Sequence, residues 1–260
     1  MRTDLYQHYH PDEKPFIDRA DEWLMKAAYE HQVKRTDFLD PRQAFILSSL
    51  ANRYDGIQVV YNGGDPEAER KRALIMPDYR DPEREDAGVG LLAITSEDAR
   101  IAELDHGDYL GAILGLGIKR DKVGDLHPSP EGCHVLLAAE ILDYVHMHLR
   151  QVHRVQVYTE TLPIDELKRV EPELEETAFT VASLRLDAVV SDVFKLSRAK
   201  ALKPIQAGHC KLNWKIEEDP SRELQEGDIV SLKGYGRFKI LAIEGASKKG
   251  RIRVRAGRYS

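Results

Sequence analysis

Between Arg185 and Asn213 the chain gathers the groups that recognise phosphate. Five cations, Arg185, Lys195, Arg198, Lys200 and Lys203, fall within 19 residues. Arginine offers a planar fork that binds two phosphate oxygens at once, and lysine a compact point charge. Two short helices are expected to set their positions. Leu186, Val189, Val190 and Val193 recur at i, i+3, i+4 and i+7, one face of a two-turn helix. Ser197 is a good N-cap for a second helix. Gly208 stands where that helix must stop, in a position that tolerates positive φ. Arg185 therefore opens the first helix and Arg198 the second, and helix starts also offer unpaired backbone N–H groups that favour phosphate oxygens. A solvated helix face explains any one of these lysines. Five cations gathered at two helix starts point to nucleic acid instead.

The charge distribution agrees. The 260 residues carry a net charge of −6, but residues 180–260 hold 17 Lys+Arg against 9 Asp+Glu, and residues 1–179 hold 21 against 35. A basic segment joined to an acidic body is the outline of a polyanion-binding module. With 42% hydrophobic and 32% charged residues, the chain is neither disordered nor collagen-like. Its longest apolar stretch, Tyr109–Ile118, is too short for a bilayer, which needs about 20 residues. Met1–Pro15 has no apolar signal core. Cys133 and Cys210 are too far apart to form a metal knuckle and suit a reducing compartment, so a cytoplasmic protein is expected. Of the histidines 127, 134, 146, 148 and 153, His146 and His148 point to different faces of a predicted helix. None has a cysteine or carboxylate at zinc spacing. No metal, cofactor or membrane is expected.

The elements that must position these groups form an α+β protein. Phe16, Ala20, Trp23, Leu24 and Ala27 predict a helical segment over residues 1–38. Residues 39–160 are expected to form a mixed α/β sandwich, ferredoxin- or RRM-like. It begins with a helix over Pro41–Tyr54 and continues with strands near 57–61, 73–76 and 89–95. A helix over 109–116, strands near 123–126 and 133–136, a helix over Leu137–Val152 and a last strand near 155–158 follow. Residues 161–178, with Pro163, Pro172 and five glutamates, read as an acidic linker. Residues 179–260 form the basic domain.

In that last domain the order Arg185-Leu186-Asp187, Ser197-Arg198, Ala201-Leu202, Gly208, Asn213 and Leu224 to Asp228 resembles the S4 RNA-binding domain, named for a small-subunit ribosomal protein. Two residues depart from its pattern. Pro204 falls inside the second helix and should kink it, and Trp214 stands where glycine usually follows Asn213. The whole chain, with Gly115 to Asp125 in the middle and Gly234-Tyr-Gly-Arg-Phe238 near the end, resembles the YlmH family of bacterial proteins, often encoded near cell-division genes. The resemblance implies an S4-like αL RNA-binding domain on an RNA-binding protein of the large ribosomal subunit. It would touch rRNA and tRNA in rescue or quality control of stalled translation. The implied RNA-contacting set is Arg185, Asp187, Lys195, Ser197, Arg198, Lys200, Lys203, Lys211 and Asn213.

Further contacts are expected in two places. Lys119, Arg120 and Lys122 form a basic island in the acidic body, which is otherwise an exposed loop. Near the C-terminus, Tyr235 either stacks on a base or packs in a turn, beside Arg237. Arg251, Arg253 and Arg255 alternate with Ile252 and Val254, which places them on one face of a terminal strand. That face either extends the RNA surface or meets solvent. For catalysis the sequence holds no P-loop, no Gly-x-Ser-x-Gly elbow and no cofactor loop in strand-to-helix context. A non-catalytic binder is expected. An RNA-modifying enzyme targeted by its S4-like domain, or a scaffold for division proteins, remains the alternative.

Overall fold

A computed structural model describes Tyr6, residues 9–246 and residues 250–259. The chain divides into two compact units, Met1–Glu171 and Pro172–Ser260.

In the first unit, α1 (Lys14–Glu30) buries Phe16, Ile17, Ala20, Leu24 and Ala27 and ends on His31 in the left-handed region, φ 55°. Residues 34–38, expected from the sequence to belong to the helical segment, belong instead to β1 (Lys34–Leu39). The reason lies at a distance. β1 pairs with β3 (Lys71–Pro77) through an irregular register between Arg35 and Phe38, where the Thr36 hydroxyl accepts the Ala73 amide at 2.9 Å. α2 (Pro41–Ala51) starts from a reciprocal cap in which Asp40 accepts the Gln43 amide and Gln43 accepts the Asp40 amide. β2 (Ile57–Asn62) completes the antiparallel sheet β1-β3-β2. The expected strands near 57–61 and 73–76 therefore belong with the N-terminal helices, not with the middle sheet.

The rest of this unit follows the order β4 (Val89–Thr95), α3 (His106–Gly115), β5 (Val123–Ser129), β6 (Gly132–Ala138), α4 (Ala139–His148), then β9 (Tyr158–Leu162) after the small hairpin β7 (Gln151–Val152) and β8 (Val155–Gln156). The sheet order is β5-β6-β4-β9, all antiparallel. This is the split βαββαβ arrangement, so the ferredoxin-like expectation holds over residues 89–162. The predicted helix over Leu137–Val152 is shorter. Leu137 and Ala138 finish β6, and Leu149 and Val152 keep the apolar spacing only because they join the same core from outside the helix. The second face of this sheet is closed as well. Leu91 and Leu136 are fully buried, and a Cβ on Gly64 would lie 2.8 Å from Leu136 and 3.0 Å from Val89. At these positions the sheet face on which an RRM stacks bases is covered.

Arg72 fastens the two parts of the first unit together. It is 3% exposed and donates to the Thr36 carbonyl at 2.7 Å, the Gly88 carbonyl at 2.6 Å and both Glu140 oxygens at 2.8 and 3.1 Å. Burial tends to raise the Glu140 carboxyl, but hydrogen bonds from Arg72 and Lys122 outweigh it and bring it down to about 2.

In the second unit, β10 (Leu174–Val181) begins inside the segment expected as linker. Its register with β15 (Ile252–Tyr259) is unbroken from Leu174↔Tyr259 to Val181↔Ile252. Next come α5 (Leu186–Val193), α6 (Arg198–Gln206), β11 (Cys210–Leu212), β12 (Lys215–Ile216), β13 (Ile229–Leu232) and β14 (Gly236–Ala246). The antiparallel sheet runs β10-β15-β14-β13-β11-β12. Leu186, Val189, Val190 and Val193 of α5, with Ala201 and Ile205 of α6, bury against Val230, Phe238, Ile240 and Val254. Among the described residues no helix is long and apolar enough to cross a membrane.

Candidate nucleic-acid interface

The two helix starts are not equivalent. Arg185 is the N-cap of α5, but its guanidinium forms a two-point pair with Asp187, Nε to Oδ1 at 3.0 Å and Nη2 to Oδ2 at 3.2 Å. The arginine side chain is 41% exposed and the aspartate 4%. Asp187, expected to touch RNA, is instead buried and orients Arg185. The backbone expectation also fails at α5. The Leu186 amide donates to the Arg222 carbonyl at 2.8 Å and the Asp187 amide to the Pro220 carbonyl at 3.0 Å. The segment 220–224 occupies the groups that an anion would need.

At α6 no segment closes over the helix start in this way. The Ser197 side chain accepts from the Lys200 amide. The amides of Arg198 and Ala199 have no partner among the described groups and remain available to an anion. Lys195, Arg198, Lys200 and Lys203 are exposed, and none joins a described ion pair. Pro204 does not break the helix, which runs on to Gln206. The last turn closes through Gly208, φ 71°, with the Gly208 amide on the Ile205 carbonyl and the His209 amide on the Pro204 carbonyl. α5 ends in the same motif, the Lys195 amide on the Asp192 carbonyl and the Leu196 amide on the Ser191 carbonyl. There the left-handed residue is Lys195, φ 53°, where glycine is usual. That conformation turns the chain from one helix into the next and presents an unpaired ammonium at the junction.

Beyond α6, Asn213 and Trp214 form the two-residue turn between β11 and β12, both left-handed at φ 49° and 65°. Asn213, expected among the RNA contacts, holds the neighbouring turn instead. Its Nδ2 donates to Asp228 at 2.8 Å and its Oδ1 accepts the Ile229 amide at 2.9 Å. Lys211 is exposed one residue before the turn.

The expected basic island on the first unit is largely engaged. Lys122 pairs with Asp37 and Glu140. Arg120 donates to the Val123 carbonyl, and burial with the neighbouring Arg70 lowers its guanidinium to about 10. Only Lys119 of the three is exposed. Near the C-terminus, Arg237 lies 4.1 Å over the Tyr259 ring, and Tyr235, 41% exposed, sits 6.0 Å from Phe194. The alternation in β15 is real. Val254 and Ala256 are buried, while Arg253 pairs with Glu244 at 3.2 Å and Arg255 with Glu244 and Glu176. Arg251 donates to Thr180, its Nε reaching the hydroxyl at 3.1 Å. Sequence reasoning missed Ser191, Asp192 and Thr180, because no motif marks them; they meet Arg198 or Arg251 only through folding.

The histidines and thiols have other roles. His146 meets Thr159 and His148 the Tyr144 carbonyl, while His134 accepts the Lys168 amide. Burial raises both thiols, that of Cys210 to about 12.

Residues 12–80 match the model "YlmH, N-terminal", residues 82–166 "Putative RNA-binding domain in YlmH", and residues 184–230 "S4 domain". The chain is 38% identical over 252 residues to "Ribosome-associated protein quality control protein P2" of Bacillus subtilis (strain 168), covering 97% of each. It is similar to the solved structure "Cell division protein ylmH from Streptococcus pneumoniae", with 28% identity and a TM-score of 0.54, over 62% of this chain and 97% of that one.

Proposed function

Since the chain belongs to the YlmH family, we propose that it is a non-catalytic RNA-binding protein that associates with the large ribosomal subunit. It would contact rRNA and peptidyl-tRNA in the rescue or quality control of stalled translation in the cytoplasm. One observation carries the RNA reading: Lys195, Arg198, Lys200 and Lys203 stand exposed and without described ion pairs around the available amides of α6. Phosphate contacts of this kind fix register and carry little sequence information. The target is therefore chosen chiefly by its fold. Arg185, held by Asp187, is a second and pre-oriented arm, and Lys211 extends the surface. The name of the Bacillus subtilis relative supports the ribosomal setting.

The test is co-sedimentation of the full chain with purified large subunits. The parent is expected to pellet with them, and the variant Lys195→Ala/Arg198→Ala/Lys200→Ala/Lys203→Ala to stay in the supernatant. Equal pelleting of the two would refute the assignment.

A further inference from the structure

Beside the α6 start lies a recess of about 330 Å³ that contains Ser191, Asp192, Arg198 and Arg251, with Ala182 and Leu196 among its apolar wall. That volume is at the small end of the roughly 300–1,000 Å³ typical of ligand clefts. Its polar groups do not suit a phosphate alone, because a carboxylate stands among the cations. Arg198 and Arg251 are both close enough to act on the Asp192 carboxyl, which burial raises and the two arginines lower. The Asp192 carboxylate makes no described hydrogen bond or ion pair; only the backbone carbonyl of that residue is engaged. The Ser191 hydroxyl is buried and has no hydrogen-bond partner among the described groups. Arg251 is fixed from behind by Thr180. Arg251 also lies outside residues 184–230 that match the S4 domain, so the recess joins that domain to the terminal strand pair.

A carboxylate acceptor facing guanidinium donors matches a base edge that carries donors and acceptors side by side. Guanine has this edge. Its N1–H and N2–H can both donate to one carboxylate, while O6 and N7 accept from an arginine fork. Adenine offers the carboxylate one amino group and an acceptor at N1, and uracil places carbonyl oxygens against it. We infer that this recess takes one unstacked guanine of the bound RNA, with Asp192 reading its N1–H and N2–H edge and Arg251 or Arg198 its O6 and N7. The inference rests on the RNA reading above and adds a base-specific contact to an interface otherwise built on phosphates.

The experiment is fluorescence anisotropy of the full chain with labelled RNA pentamers, four uridines around a central guanosine, adenosine, cytidine, uridine or inosine. The guanosine pentamer is expected to bind about tenfold or more tighter than those with adenosine or uridine. Inosine, which lacks N2, should lose part of that preference. Asp192→Asn should level the affinities, as should Arg198→Ala/Arg251→Ala; all three side chains are exposed, and circular dichroism checks the fold. If all pentamers bind alike and Lys200→Ala weakens every one, the base contact is wrong and the phosphate reading stands. If no pentamer binds while the full chain still pellets with large subunits, this inference falls and the RNA reading stands; loss of both overturns the two together.

Discussion

Lys195 is held at φ 53° in the turn between α5 and α6, and replacing it should separate stability from function. A side chain in the left-handed region costs roughly 1–2 kcal/mol. Glycine removes that strain but gives back about 0.5–1 kcal/mol through the freedom of the unfolded chain. Lys195→Gly is therefore expected to stabilise the second unit by about 0.5–1 kcal/mol. The chain has two tryptophans, Trp23 in the first unit and Trp214 in the second. In a Trp23→Phe background the fluorescence of Trp214 reports the second unit alone. With an m-value of about 1–2 kcal/mol per molar urea, the midpoint should rise by roughly 0.5 M. RNA affinity should fall at the same time. Loss of one phosphate contact lowers the slope of log K against log salt by about 0.7–0.9. Lys195→Ala keeps the strain and loses the charge, so it should weaken RNA binding with no gain in stability. A midpoint that drops in Lys195→Gly would show that the left-handed conformation is not strained. Unchanged RNA affinity in both variants would show that the ammonium is not a contact.

Other predictions concern both units. Arg72→Met leaves the Thr36 and Gly88 carbonyls without this donor and Glu140 with Lys122 alone, and should destabilise the first unit by about 2–5 kcal/mol in urea unfolding followed by Trp23 fluorescence. The Arg72 and Lys122 hydrogen bonds hold the Glu140 carboxyl down to about 2, below the ordinary 4.5 of a glutamate, so its contribution is present above pH 4.5 and lost as the pH falls toward 2. Its side chain is 42% exposed, which limits the effect to about 1 kcal/mol; Glu140→Gln should remove that part of the acid sensitivity in thermal melts at pH 3 and 7. Asp187→Asn should weaken RNA binding only through Arg185, so its effect should vanish in an Arg185→Ala background.

The features legible in the sequence were the local ones. Ser197 as a cap, Gly208 as a stop, the apolar face of α5 and the alternation of β15 each depend on neighbours within a few residues. The misread features depend on distant partners. Lys122 looks like part of a free basic island until folding brings Asp37 and Glu140 to it. The α5 start looks open until residues 220–222 close over its amides. The sequence of β1, Lys34 to Leu39, has no clear alternation of apolar and polar residues, and its identity as a strand comes from β3. Asp187 and Asn213 are motif residues whose side chains hold Arg185 and the turn at Asp228, a role that spacing alone does not separate from ligand contact.

The most direct measurement is the salt dependence of binding between the full chain and large ribosomal subunits, for the parent and for Arg198→Ala/Lys200→Ala/Lys203→Ala. If α6 grips phosphates, removing three cations should flatten the slope of log K against log salt by about 2–3 and weaken binding at every salt concentration. A variant whose slope and affinity equal those of the parent would place the grip elsewhere on the chain and contradict the account.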